Sequence, residues 1–397
     1  MLTQPLPNGK LYNNQGTPPN CHPPMFCDSL TPVILQAREE AMKLLIYGRG
    51  PYDVATNATT AWGGAEKQQW VISRELVRRG HEVTIIVNTN APDDIQSEVE
   101  GVRFIKVPAG NSLTKLYTAL QQENPDWYYR RTAKESLGPS VMIAKTLGVR
   151  SVYASAYDTD CTPRQALQNR KYLWPLYKLG LDLCDSILVQ HSHQMKLLSP
   201  AYQRKAHQVN NIVDIPAELP PKQDYVSWIV AALRYPKRPH LLVEIAKALP
   251  QVKFVVCGVP TSFSSSMDYG NRMVEAFNRL PNVDYRGSVP PDEARRIISE
   301  SLVFLSTSDG EGFPNTMLEA WSGYTPVVSL ELDPGDVIAR HKTGLVVNSV
   351  EEFVEELSAL LSDTERREQL GRHGRAYVEN EHSAARAYEQ LQGALGF

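Results

Sequence analysis

One alternation constrains the fold of this chain more than any other feature. Short apolar runs that read as strands alternate with longer amphipathic segments that read as helices, and they do so in two series. In the first series the strands are Leu44–Tyr47, Glu82–Val87, Val102–Val107, Trp127–Tyr129, Ser151–Ala154 and Ser186–Val189, with Ala206–Ile212 as the last. Helices are predicted at Gly63–Arg79, Leu113–Gln122, Val141–Leu147 and 165–181, the last interrupted by Pro175. Strands separated by helices imply a parallel sheet covered on both faces. Ile215-Pro-Ala-Glu-Leu-Pro-Pro221 then breaks the pattern, and three prolines in seven residues make a stiff linker. After it the alternation restarts. Strands are predicted at Trp228–Leu233, Lys253–Cys257, Val283–Tyr285, Leu302–Leu305, Thr325–Ser329 and Gly344–Val347. Helices follow the same alternation at 239–249, 268–280 and 291–300, and close the chain at 350–361, 364–379 and 383–395. The sequence therefore reads as two doubly wound α/β domains in series. In such sheets ligands bind beyond the carboxyl ends of the strands, so a cleft between the domains is expected.

The 397 residues suffice for two domains. Residues 1–41, rich in Pro, Asn and Gln, read as a poorly ordered tail, and Met42 looks like the natural start of the functional unit. The first domain then spans 42–215 and the second 222–379. A net charge of -3 argues against a general nucleic-acid binder. Five scattered cysteines without a C-x-x-C pair point to a reducing, cytoplasmic setting. No apolar run approaches the ~20 residues of a membrane helix, and Met1 opens no signal-peptide pattern.

The chemistry concentrates in Ser306-Thr-Ser-Asp-Gly-Glu311-Gly-Phe-Pro314-Asn-Thr-Met-Leu-Glu319. A buried strand ends at Ser306, a Gly-containing loop follows, and Pro314 fits the first position of a helix. Met317, Leu318 and Trp321 continue that helix, and Gly323 fits its C-terminal cap. Open backbone N–H groups at a helix start attract phosphate. Glu311 and Glu319 flank that spot. A carboxylate beside a phosphate site is repelled by the ligand unless it does something else, and accepting hydrogen bonds from sugar hydroxyls is the obvious task. Arg234 and Lys237 follow the strand at 228–233, where two cations could hold a diphosphate and stabilise it as it leaves. A solvated basic loop, shared with Arg238, is the plainer reading of the same residues. Gly63-Gly-Ala-Glu66 opens the first long helix and lets a ligand approach its backbone. Gly48-Arg-Gly50 lacks the third glycine of a dinucleotide fingerprint.

These stretches resemble glycosyltransferase family 4, the retaining, metal-independent enzymes of GT-B fold. Glu311-Gly-Phe-Pro-Asn-Thr-Met-Leu-Glu319 looks like that family's E-x7-E motif, and Gly63-Gly-Ala-Glu66 like its N-terminal glycine motif. Cys184-Asp-Ser-Ile-Leu-Val-Gln-His-Ser192, Asn210-Asn-Ile-Val-Asp214 and Leu233-Arg-Tyr-Pro-Lys-Arg238 resemble further family segments in the right order. The likeness covers about residues 42–397. It implies two Rossmann-like domains facing across a cleft, with 380–397 crossing back to the first. It implies a nucleotide-diphosphate sugar as donor substrate, a hydroxyl acceptor held mainly on the first domain, and no cofactor. Glu319 would bind the ribose and Glu311 would face the donor sugar. Arg234 and Lys237 would bind the diphosphate. Gly312, Phe313, Pro314, Asn315 and Thr316 would serve sugar and phosphate, and Gly63 and Gly64 would admit the donor phosphate from the first domain.

The sequence departs from that pattern at one point. Many relatives carry a His-Asp or His-Gly pair after the strand at 151–156, and here the pair is Tyr157-Asp158. A tyrosine, with a pKa of about 10, is a poor base near neutral pH. Tyr157 and Asp158 are candidate acceptor-side residues, although a loop-capping Asp is the plainer reading of Asp158. Asp158-Thr-Asp160 spells D-x-D, a metal motif in another class of glycosyltransferase, but short acidic pairs are common and no metal site is expected. His191, His193 and His240 show no ligand spacing. Arg164–Leu181 mixes Arg170, Lys171 and Lys178 with Tyr172, Trp174 and Tyr177. Such a face can make weak peripheral contact with an anionic inner-membrane surface, but a helix packed on its own sheet is preferred. Rival readings are an epimerase, a phosphorylase, or a non-catalytic sugar-nucleotide binder.

Overall fold

The computed structural model describes residues 41–56, 63–89, 95–108, 112–167, 170–261 and 264–397. The tail expected over 1–41 lies outside them except for Ala41. Two sheets organise the described chain. The first contains β1 (Lys43–Tyr47), β2 (Glu82–Thr89), β3 (Glu98–Val99), β4 (Val102–Pro108), β5 (Trp127–Arg131), β6 (Arg150–Ala154), β7 (Ser186–Val189) and β8 (Ala206–Gln208). Their order is β3-β4-β2-β1-β5-β6-β7-β8. Every pairing is parallel except the short antiparallel contact of β3 with β4. The second sheet contains β9 (Val226–Leu233), β10 (Phe254–Pro260), β11 (Val283–Gly287), β12 (Val303–Ser306), β13 (Val327–Leu330) and β14 (Gly344–Val347). It is wholly parallel, in the order β11-β10-β9-β12-β13-β14.

The apolar runs are continuous because each sheet is covered on both faces. Leu44 and Ile46 enter one core layer with Trp70 and Leu76, while Leu45 between them enters the opposite layer with Leu116, Leu120 and Tyr128. The second sheet divides the same way. Trp228 joins Phe277 and Phe353 on one face, and Ile229 joins Phe304, Met317 and Trp321 on the other. The strand order reverses direction between β1 and β5 in the first sheet and between β9 and β12 in the second. Loops leaving the carboxyl ends of neighbouring strands diverge at such a point and leave a crevice. The last helix, Ala384–Leu395, packs on the first sheet, burying Ala387, Leu391 and Leu395 beside Leu76 and Val83.

Several local expectations differ from the structure. The segment 165–181 is no single helix: Pro163–Ala166 is one short turn of helix, and Trp174–Leu183 is a separate helix. Pro175 lies in the first turn of the latter, where its missing N–H costs nothing, so it starts that helix instead of interrupting it. β8 stops at Gln208, and 209–212 runs on towards the second domain without regular secondary structure. Short helices at Gly50–Ala55 and Ser192–Leu197 went unread in the sequence because fewer than two turns of helix leave too little periodicity. The aromatic residues of 164–181 are dispersed. Tyr177 is fully buried and donates to the Asp160 carbonyl at 2.7 Å, Arg164 lies over Trp174 at 5.3 Å, and Tyr172 is exposed. Among the described residues no helix is long and apolar enough to cross a membrane.

Candidate active site

The carboxyl ends of the two sheets open into one cavity of about 560 Å³. Every site residue proposed from the sequence lines it except Asp158. Its geometry follows from the second sheet's crossover. β9 and β12 are neighbours, so the loop carrying Arg234 and Lys237 lies beside the loop carrying Glu311. Thr307 ties the two together: its hydroxyl donates to the Lys237 carbonyl at 2.7 Å and accepts from Trp228 Nε1 at 3.1 Å. Arg238 does not line the cavity. Its guanidinium binds the Leu330 carbonyl at 3.0 Å and the Thr307 carbonyl at 2.5 Å, and pairs with Glu331, so it locks the loop.

Lys237 is mostly buried and pairs with Glu311. Burial, reinforced by the charge of Arg234, pulls its ammonium down to about 7, against the attraction of Asp309. Glu319 is buried on the helix Asn315–Ser322 and pairs with Lys67 from the first domain. Pro314 is one residue earlier than expected, an extended N-cap preceding Asn315. Gly323 caps the helix with φ -95°, so left-handed backbone does not explain it. A methyl group there would lie 2.6 Å from Ser299 Oγ, and this crowding does.

The first domain contributes the start of the helix Gly64–Arg78, whose N-cap Gly63 is extended and carries no capping side chain. Its first amides therefore face the cavity without intrahelical partners. Gly64 is required for close approach, because a methyl group there would sit 2.5 Å from Asn315 Nδ2. Asn315 in turn donates to the Gly64 carbonyl at 3.1 Å and accepts from Gln68 at 3.0 Å and Asn211 at 3.3 Å. Asn211 also donates to the Phe313 carbonyl at 3.2 Å, and Gln190 accepts from the Phe313 amide at 3.2 Å. The loop carrying Phe313 and Asn315 is thus held by amide side chains of the opposite domain. Lys67, Gln68, Arg131, Gln190 and Asn211 were not proposed as site residues. Gln190 and Asn211 lay inside the family-like segments, whereas nothing in the spacing marked the other three.

Tyr157 lines the cavity and its hydroxyl accepts from Arg234 at 3.2 Å. The residue standing where the family resemblance leads one to expect histidine therefore touches a cation of the opposite domain. Asp160 positions it, accepting the amides of Ala156 at 2.8 Å and Tyr157 at 3.2 Å. Burial raises the Asp160 carboxyl to about 6, with both amides opposing. This explains the second acid of D-x-D as a loop cap. The first, Asp158, does not line the cavity. It accepts from Gln194 at 3.1 Å, and His191 Nε2 lies 3.2 Å from it without hydrogen-bond alignment. His240 binds the Tyr269 hydroxyl at 2.7 Å.

The glycosyl transferase 4-like domain model matches residues 63–212, and the glycosyl transferases group 1 model matches residues 212–377. A phosphatidylinositol N-acetylglucosaminyltransferase component of Arabidopsis thaliana is 25% identical over 66% of this chain and 62% of its own. Sulfoquinovosyl transferase SQD2 of the same plant is 26% identical over 77% of this chain and 65% of its own. The chain thus spans less than two thirds of the length of either relative. Among solved structures, Anabaena HepE in complex with UDP superposes with a TM-score of 0.70 at 14% identity, covering 89% of this chain and 100% of that one. The two family models abut at Ile212, where the chain passes between the sheets, and together with the shared two-sheet fold they make this chain a member of the GT4-type glycosyltransferases of GT-B fold.

Proposed function

We propose that the protein transfers a sugar from a nucleoside diphosphate to a hydroxyl acceptor, with retention at the anomeric carbon and without a metal. One observation carries the proposal: Arg234, Lys237, Glu311 and Glu319 share a single cavity with the open helix start at Gly63–Gly64. Two cations beside a helix N-terminus suit a diphosphate. Two acceptor-only carboxylates suit the hydroxyls of a ribose and a sugar. In this reading Glu319 takes the ribose, exchanging part of its contact with Lys67, and Glu311 faces the transferred sugar. Arg234 and Lys237 hold the diphosphate and stabilise the charge that develops as the anomeric C–O bond breaks. The diphosphate restores the positive charge that burial disfavours on Lys237. The new bond forms from the acceptor oxygen to the anomeric carbon. The hydroxyl proton goes to the departing phosphate oxygen, since Tyr157 is hydrogen-bonded to a cation and Glu311 is already paired.

HepE has been crystallised with UDP and with UDP-glucose, which makes uracil the first base to test. A thermal-shift panel of nucleotide sugars identifies the donor, because only a bound ligand stabilises the fold, by about 2.7 kcal/mol at a hundredfold excess over Kd. With that donor, Glu311→Gln or Lys237→Ala is expected to cut transfer at least about tenfold, or roughly 1.4 kcal/mol of barrier, with EDTA inert. Near-full rates in both variants would refute the assignment. Donor epimerisation without acceptor, or dependence on orthophosphate, would move the activity to another GT-B reaction.

A further inference from the structure

Arg131 ends β5, the strand that flanks the crossover of the first sheet, and it lines the cavity. It is nine-tenths buried, at 9% exposure. An arginine stays charged at every physiological pH. Burying such a charge is costly unless it is paired and its donors are satisfied. Arg131 meets neither condition within the protein. Nη2 donates to Asn211 Oδ1 at 3.0 Å, Nη1 reaches the Tyr129 hydroxyl only at 3.5 Å, and the buried Nε has no acceptor. It has no carboxylate partner among the described residues. Asp160 feels its charge but gives its carboxylate to the Ala156 and Tyr157 amides. The other cavity cations that are mostly buried have carboxylates, Glu319 for Lys67 and Glu311 for Lys237, while Arg234, which contacts the Tyr157 hydroxyl, is exposed to solvent. The next residue, Thr132, also lines the cavity and holds φ at +67°, a strained backbone for a β-branched residue.

We propose that Arg131 is the core of an oxyanion subsite in the first-domain half of the cavity, recognising a carboxylate, sulfonate or phosphate carried by the transferred sugar or by the acceptor. This rests on the glycosyl-transfer reading for which molecule brings the anion, but not for the existence of the site. The subsite is separate from the diphosphate cations, which belong to the second sheet. Through Asn211, whose amide binds the Phe313 carbonyl, the Arg131 fork is coupled to the loop beside Glu311. An anion there would sit beside the transferred sugar. A planar guanidinium binds oxyanions through two parallel N–H bonds, a geometry lysine cannot reproduce.

Calorimetry at fixed ionic strength tests the proposal in two arms. The donor arm compares UDP-glucuronate with UDP-glucose. The acceptor arm compares glucose 6-phosphate with glucose, on the protein alone and saturated with UDP. The anionic member of one pair is expected to bind at least about tenfold tighter, equivalent to 1.4 kcal/mol. Arg131→Gln should abolish that preference while changing UDP affinity less than about threefold, and Arg131→Lys should retain part of it. The arm that responds identifies which substrate carries the anion. No preference in either arm of the wild type overturns the proposal, as does a preference that survives in a folded Arg131→Gln. A tenfold loss of UDP affinity itself would also overturn it, by assigning Arg131 to the diphosphate. If circular dichroism shows that Arg131→Gln does not fold, Arg131→Lys against wild type decides. Failure of the wild type to bind UDP would sink the donor reading alone, because glucose 6-phosphate binding without UDP still decides the subsite.

Discussion

Gly312→Ala is expected to separate the proposed sugar transfer from nucleotide binding. Gly312 stands on the loop of the second domain and meets the first. A methyl group there would lie 2.0 Å from Gln190 Oε1 and 2.2 Å from the Ala156 carbonyl oxygen. The Gln190 side chain could turn away at the loss of its bond to the Phe313 amide. The Ala156 carbonyl cannot, because its strand is fixed and its loop is capped by Asp160. Ordinary carbon contacts begin above 3 Å, so the cleft must open by about 1 Å. A displacement of that size between reacting groups can cost about a hundredfold in rate, or roughly 2.7 kcal/mol. Neither domain core contains Gly312, so the melting temperature is expected to hold within a few degrees. UDP binding, which the proposed function assigns to Arg234, Lys237 and Glu319, should weaken less than about tenfold. Gly310→Ala is the control, since a methyl group there meets nothing within 4 Å. The assay is steady-state transfer with the identified donor, alongside calorimetric UDP binding. A Gly312→Ala protein with wild-type kcat/KM would refute the idea that closure of these two loops sets the reacting geometry.

Two further outcomes depend on pH. Burial brings Lys237 down to about 7, and in the proposed function a bound diphosphate would raise that value. Nucleotide-sugar affinity is therefore complete below pH 7 and falls as pH rises towards the bound-state pKa, by up to about tenfold per unit. Calorimetry from pH 6 to 9 should also register proton uptake on binding, and a flat profile would contradict a role for Lys237 in holding the diphosphate. His382 is fully buried between the Asn211 carbonyl and the Tyr377 hydroxyl, and burial lowers it to about 4. Its unfolded form takes up a proton below about 6.5, so stability is lost as pH falls from there. The loss by pH 5 is about 2 kcal/mol, measurable as a drop in urea midpoint that His382→Asn should flatten.

Much of this protein is determined by sequence alone, because the determining interactions are local. A strand covered on both faces must be continuously apolar, and a helix on a sheet must carry one apolar stripe. The alternation at 44–189 and at 228–347 therefore specifies two parallel sheets. The loop at 306–319 is legible for the same reason: strand end, glycines, Pro314 and helix are contiguous, and Glu311 and Glu319 fall where that contiguity puts them. What lies across the cleft is decided only by the tertiary structure. Lys67 on Glu319, Tyr157 on Arg234, and Gln68, Asn211 and Gln190 on Asn315 and Phe313 are contacts between residues far apart in the chain. No periodicity marks them. Local pattern also misplaces charge. Arg238 resembles its neighbours Arg234 and Lys237 but turns to bind loop carbonyls, while Arg131 resembles a strand residue and lies buried in the cavity without a carboxylate. Backbone hydrogen bonding and apolar burial are set within a few residues of chain, so sequence reveals the scaffold. The partner of a charge depends on where two separate sheets bring their loops, and only the folded chain settles that.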